Sequence, residues 1–317
     1  MLISLFLSAC ASNGPTTAPP VASPPTEPEA QSTEPDIPSA EAGVPSSPTA
    51  AVQAPPKEAE LWTQPSFDRP ESVLIDFKTS RLWVSNIVGQ PADKDGVGHV
   101  LELDLDGHLK SDGFTSGVTL NAPKGMCILD DSLYIADIDV VHVVSVHTGA
   151  FRYDVPIQGA VFLNDMACGF NEAYVSDSQN GRIHRIYKEG KAELVTDLSP
   201  RKPNGLAVQG VSLFVADFGS EAVLRLSHSG AIEDQWVLPA GGLDGIAVLR
   251  DRSIVVSSWG GQAIYKLNPD GGIDTLADGI KSPADFAVDQ RQNRLVVPQL
   301  TENQLRIIPM AWPGQTP

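Results

Sequence analysis

Five short stretches place a polar or small residue ahead of an apolar run at a fixed interval of 40 residues: Lys124-Gly-Met, Asn164-Asp-Met, Asn204-Gly-Leu, Asp244-Gly-Ile and Ala284-Asp-Phe. An earlier member, Glu71-Ser-Val, precedes Lys124 by 53 residues. Residues that share a phase in a repeat share a structural role, so six side chains converge if the repeats close on an axis. Glu71, Asn164, Asn204 and Asp244 would then bring two carboxylates and two amide carbonyls to one place. Such oxygens suit a hard divalent cation, and calcium asks for six to eight of them, water included. Neither imidazole nor thiolate occupies this phase, which disfavours copper and iron. Calcium is the expected ion, with zinc, manganese and magnesium as alternatives.

Lys124 breaks the pattern, and two outcomes stand open. Its ammonium meets an anionic group of a substrate, or it pairs with Glu71 and replaces the ion. Asp165 and Asp285 follow ring positions directly and are candidate substrate contacts, with a capped turn as the bland reading. Trp259 lies two residues beyond the end of a second strand and is a candidate pocket wall. His142 shares the 40-residue phase with Arg182, Ala222 and Gln262, an irregularity that hints at selectivity. Asp93-Lys94-Asp95-Gly96 reads as an inserted loop over the ring mouth that could act as a lid. The residues that end the second strands, Asn86, Asp137, Asp177, Asp217, Ser257 and Gln299, read as structural braces through side-chain bonds to nearby backbone.

These residues must be positioned by strands. Each repeat holds apolar runs of four to six residues rich in β-branched and aromatic side chains, as in MCIL, SLYIAD and VVHVVSV. Gly, Asp, Asn and Ser punctuate them, which is the pattern of tight hairpins. A fourth, weaker run closes most repeats: FRYDVP, AELVTD, EDQWVL and DTLADG. Four antiparallel strands repeated radially make an all-β, six-bladed β-propeller. The last repeat ends after its third strand, while residues 59–64 have no place in the first. They are expected to supply the outer strand of blade six and close the ring. An open solenoid would need polar end caps, which the sequence lacks.

The domain is expected over residues 58–317. Residues 10–57, dominated by Pro, Ala, Ser, Thr and Glu without an aromatic, cannot bury enough surface to fold and read as a disordered tether. Residues 1–9, an apolar run before Cys10, resemble a bacterial lipoprotein signal. That resemblance implies cleavage and lipidation at Cys10 and a place in the cell envelope, periplasm-facing, at the outer membrane. Membrane contact would then run only through the lipid. The net charge of −17 lacks the basic footprint of a nucleic-acid binder. Cys127 and Cys168 fall one residue apart in repeat phase, which points them to opposite strand faces and predicts free thiols.

The set Glu71 with Asp76, FLNDMA, KPNGLAV and LDGIAV, spanning roughly residues 58–309, resembles the senescence marker protein / gluconolactonase / luciferin-regenerating enzyme superfamily. The resemblance implies a divalent ion held by Glu71, Asn164, Asn204 and Asp244 and hydrolysis of a lactone or ester. Asp244 would serve as general base, since it could touch both ion and water. The expected partner is a small-molecule substrate, and the expected state a monomer. The other reading is a non-enzymatic envelope propeller that binds a small ligand or a protein.

Overall fold

A computed structural model describes residues 60–199 and 201–310. The lipoprotein-type signal with Cys10, the tether over 10–57 and the outermost residues of the 58–317 domain lie outside the described residues. Six four-stranded antiparallel sheets stand around one axis, as the repeat predicts. The inner strands are Pro70–Asp76, Pro123–Leu129, Leu163–Cys168, Pro203–Gln209, Leu243–Val248 and Ala287–Asp289. In blade two the remaining strands are Ser132–Asp137, Val140–Ser145 and Phe151–Pro156, and the other blades follow this order. Glu60–Trp62 pairs antiparallel with Gln304–Pro309, so the start of the described chain forms the outer edge of the last blade.

The core lies between blades. One cluster joins Ala167, Tyr174 and Ile183 of blade three to Leu206, Leu213, Val215 and Leu224 of blade four. Second strands are buried on both faces: every residue of Ser132–Asp137 and Arg294–Gln299 is buried. That explains their near-continuous apolar text. Outer strands such as Ile232–Val237 are largely exposed, which explains why their sequence signal is weak.

Cys127 and Cys168 form a disulfide, with Cα atoms 5.6 Å apart, contrary to the free thiols expected. Opposite strand faces do not keep the two side chains apart here. Neighbouring blades pack face to face, so the face of blade two that meets blade three is the opposite one to the face of blade three that meets blade two.

His142 also sits elsewhere than its phase suggests. It pairs across the ladder with Ile135, and the residue in the same place in blade three is His184, opposite Val175. The reason is the hairpin: Asp137 and Val140 are joined by two residues, Asp177 and Arg182 by four. Arithmetic phase therefore holds through the second strands of blades two, three and four, and blade two slips by two beyond that point.

Candidate functional site

The inner strands carry a repeated irregularity. Register breaks between Pro123 and Met126, Leu163 and Met166, Pro203 and Leu206, and Leu243 and Ile246. In blade one the break lies between Pro70 and Ser72. Each bulge drops the ring residue out of the ladder, which frees its side chain to re-aim. The following residue is glycine in blades two, four and five for want of space. A Cβ on Gly205 would lie 2.0 Å from the Asp244 carbonyl oxygen of the next blade.

A second device sets the height of the ring. Asp137 accepts from the backbone N–H groups of Asn121 (2.7 Å) and Ala122 (2.8 Å), just upstream of Lys124. Asp177 does the same for Val161 and Phe162, and Asp217 for Lys202. Asn86 accepts from the Asp68 N–H. The residues that end the second strands of blades one to four thus clamp the lead-in to their inner strands. In blade five the strand ends at Ser258 rather than Ser257, its turn being one residue longer, and the Ser258 hydroxyl donates to the Gly241 carbonyl at 2.8 Å. In blade six the Gln299 amide donates to the Lys281 carbonyl at 3.1 Å. Serines link blade to blade: the Ser176 hydroxyl donates to the Asn204 carbonyl at 2.8 Å and Ser257 to that of Ala284 at 3.0 Å.

The result is an axial cavity of 250 Å³. Glu71, Lys124, Asn164, Asn204 and Asp244 line it together, all buried. Trp259 forms part of its wall and meets Phe218 edge-on at 5.8 Å. Four oxygens here, one from each of four blades, have no hydrogen-bond partner: Glu71 Oε2, Asn164 Oδ1, Asn204 Oδ1 and Asp244 Oδ1. A buried acceptor left unpaired costs about 1–3 kcal/mol, more when charged, so four at one site need a common partner. The donor chemistry fits a hard divalent cation. Among the described residues no three His, Cys, Asp or Glu side chains cluster as a metal site. The set at the axis draws half its oxygens from amides.

The electrostatics agree. Burial pushes Glu71 well above the usual carboxylate range, and the Asp244 charge adds to this against the pull of Lys124. Asp244 is likewise raised, by burial and then by Asp285, with the Trp259 indole and the Asn204 amide pulling it back. Lys124 forms no ion pair with Glu71. Its ammonium donates to the Ala122 carbonyl at 2.8 Å and stands 4.7 Å from the centre of the Phe162 ring. Burial lowers its pKa against the pull of Glu71 and Asp137.

The other candidates are placed elsewhere. Asp165 is buried one layer below the ring, where it accepts from the N–H groups of Met166 and Leu206, both at 2.6 Å, and so joins blades three and four. Asp285 accepts from the Ser72 hydroxyl at 2.6 Å and joins blade six to blade one. Both line a separate cavity of 210 Å³ that also takes in Val73, Met126, Leu206 and Phe286. Burial raises the Asp285 pKa to about 7, Ser72 and the Phe286 N–H opposing. His142 does not line the axial cavity. It sits between Asp154 (2.7 Å) and Asp137 (3.4 Å) within blade two. The loop after the second strand of blade one supplies Pro91 to the cavity wall, and Lys94 is held to Asp139 at 2.5 Å. Lys202, Phe162, Phe218, Ile87 and Leu300 also line the cavity and went unseen in the sequence. Lys202 and Phe162 each stand two residues before a ring position, a signal that was there to be read.

No family model matches the chain, and no curated protein matches it. Solved structures do. A structure described as streptogramin B lyase superposes with a TM-score of 0.61 at 13% identity, over 80% of this chain and 97% of that one. A catalytically inactive variant of virginiamycin B lyase from Staphylococcus aureus, with quinupristin, gives 0.58 at 14%, over 80% and 100%. A protein of unknown function from Bacteroides thetaiotaomicron gives 0.59 at 15%, over 76% and 69%. Likeness at this identity speaks for the propeller fold alone.

Proposed function

We propose that the axial cavity holds a divalent cation, calcium first, and that the protein hydrolyses a lactone or ester there. The observation that carries this reading is the set of four unpartnered buried oxygens on Glu71, Asn164, Asn204 and Asp244. A bound ion would polarise a carbonyl and acidify water. Glu71 and Asp244 would offset its charge, and Asn164 and Asn204 would orient it. Asn164 is itself fixed, since its amide donates to the Ser178 hydroxyl at 3.3 Å and Ser178 donates to the Pro203 carbonyl at 2.6 Å. Asp244 serves as the general base, because it lines the cavity and its Oδ1 has no protein partner there. The walls of Phe218 and Trp259 keep bulk water from the reacting carbonyl. That solved structures of similar fold include lyases supports an enzymatic role, though not this reaction.

The second reading is a non-enzymatic propeller that binds a small ligand or a protein. One observation favours it: blades two and six offer Lys124 and Ala284 to the ring, neither a carboxylate nor an amide. Elemental analysis of chelator-treated and calcium-reloaded protein separates the two. The hydrolase reading expects a stoichiometric ion. It expects Glu71→Gln to weaken calcium by more than the ~10–100-fold typical of losing an outer partner. A panel of lactones and aryl esters, run with calcium, manganese and zinc, should show turnover lost in Asp244→Ala. Turnover indifferent to both substitutions sinks the reading. The Cys127–Cys168 disulfide supports an oxidising compartment, in keeping with the envelope location that the sequence before residue 58 implies.

A further inference from the structure

The axial cavity is divided by chemistry. Blades two and four carry Lys124 and Lys202 to its lining, with Phe162 of blade three between them. From blade four round to blade one the lining adds five apolar side chains, Phe218, Trp259, Leu300, Ile87 and Pro91, beside the ring residues Asn204, Asp244 and Glu71. Among the described residues neither lysine is ion-paired to a carboxylate. Lys124 spends one N–H on the Ala122 carbonyl, which leaves the ammonium with two more to give. The stem of Lys202 rests by Gly219, where a Cβ would come within 3.3 Å of it. These are the only cationic side chains in the lining, and they stand on one side of it.

We infer that the ligand of this site is a small amphiphilic anion: a single aromatic or alicyclic body bearing a carboxylate, with the carboxylate toward Lys124 and Lys202. Three features carry this. The buried Lys124 ammonium feels Glu71 and Asp137 but is ion-paired to neither, and a carboxylate brought into contact offsets the cost of burying it. The apolar arc rewards a flat hydrocarbon body, and Phe218, Leu300, Ile87 and Pro91 offer no side-chain partner to a hydroxyl laid against them. The cavity, at 250 Å³, lies below the ~300–1,000 Å³ of drug-sized sites, which limits the ligand to about one ring. The inference rests on the axial cavity being the ligand site, as in the proposed function, but not on the ion or on hydrolysis.

The test is calorimetric titration of the whole protein, calcium-loaded and chelator-treated, with 3-phenylpropionate, 3-phenylpropionamide and gluconate. The expected result is that 3-phenylpropionate binds at least tenfold tighter than the neutral amide and the polyhydroxylated acid in both forms. Lys202→Met, at an exposed position, and Lys124→Met should each remove most of the preference over the amide. A thermal midpoint close to wild type shows that the variant is folded, and should Lys124→Met fail this check, Lys202→Met decides alone. A preference that appears only with calcium would mean that the ion reads the carboxylate, which overturns this inference and leaves the metal reading standing. Equal binding of acid and amide, tighter binding of gluconate, or no heat from 3-phenylpropionate at millimolar concentration overturns it as well. Anion preference in a protein that takes up no ion would keep it and remove the hydrolase reading instead.

Discussion

His142 shows how one residue can look functional in sequence and act as a brace in the structure. Burial alone would lower its pKa, but contacts with Asp137 and then Asp154 hold it above the ordinary histidine value. Its charged form is therefore favoured by folding. A raised folded pKa gives stability that is fully present below the unfolded value of about 6.5 and is lost as pH rises through the folded value. His142→Gln should thus lower the thermal midpoint more at pH 5.5 than at pH 8.5, as read by circular dichroism at both. An equal loss at the two pH values would mean that shape, not charge, is what His142 contributes. Because Asp137 also holds the Asn121 and Ala122 N–H groups, the same loss should be felt at Lys124, whose ammonium leans on the Ala122 carbonyl.

At the scale of the strand, the site depends on a bulge and a clamp, and the two were unequally legible. The 40-residue phase located Lys124, Asn164, Asn204 and Asp244 because each whole repeat keeps its length from one ring position to the next, and these four line one cavity with Glu71, which stands 53 residues before Lys124. It could not show that Asp165 and Asp285 turn away from that cavity, since a bulge re-aims adjacent side chains by a geometry that letters do not carry. Nor could it show the disulfide, which depends on how blades face one another. The aspartates that end the second strands were rightly read as structural, but their partners lie upstream as well as in the following loop. Asp177 illustrates the consequence. It is fully buried and accepts from Val161 and Phe162 and from the Asn180 amide at 2.7 Å. Asp177→Ala strands two backbone N–H groups at about 1–3 kcal/mol each. A loss of roughly 2–6 kcal/mol in urea unfolding is expected, and under the proposed metal reading calcium uptake should weaken through a displaced Asn164. Gly205→Ala should be harsher for its size, because its Cβ would meet backbone of blade five rather than a side chain that can yield.

At the scale of the molecule, a ring of blades is only as firm as its closure and its inter-blade ties. Trp62, on the strand that completes blade six, is buried at 7% exposure. It packs in a cluster with Phe67, Leu82, Leu305 and Ile307, and the Arg294 guanidinium stands 5.2 Å from its ring centre. Blades one and six are thus joined through a residue that belongs by sequence to neither repeat. Trp62→Ala should cost about 3–5 kcal/mol, the range for a large aromatic removed from a core. The second tie is Cys127–Cys168, which closes a segment with a sequence separation of 41 between the inner strands of blades two and three. The chain-entropy relation gives such a link about 4 kcal/mol through the unfolded state. Reduction, or Cys127→Ser with Cys168→Ser, should therefore lower stability by a comparable amount without opening the ring at blade six. The two losses should add, since the sites share no contact and lie in different inter-blade seams. Unfolding of the combined variant measured against each alone decides this. A combined loss well short of the sum would mean that the blades unfold in separate steps, and that the six-bladed ring is not held as one cooperative unit.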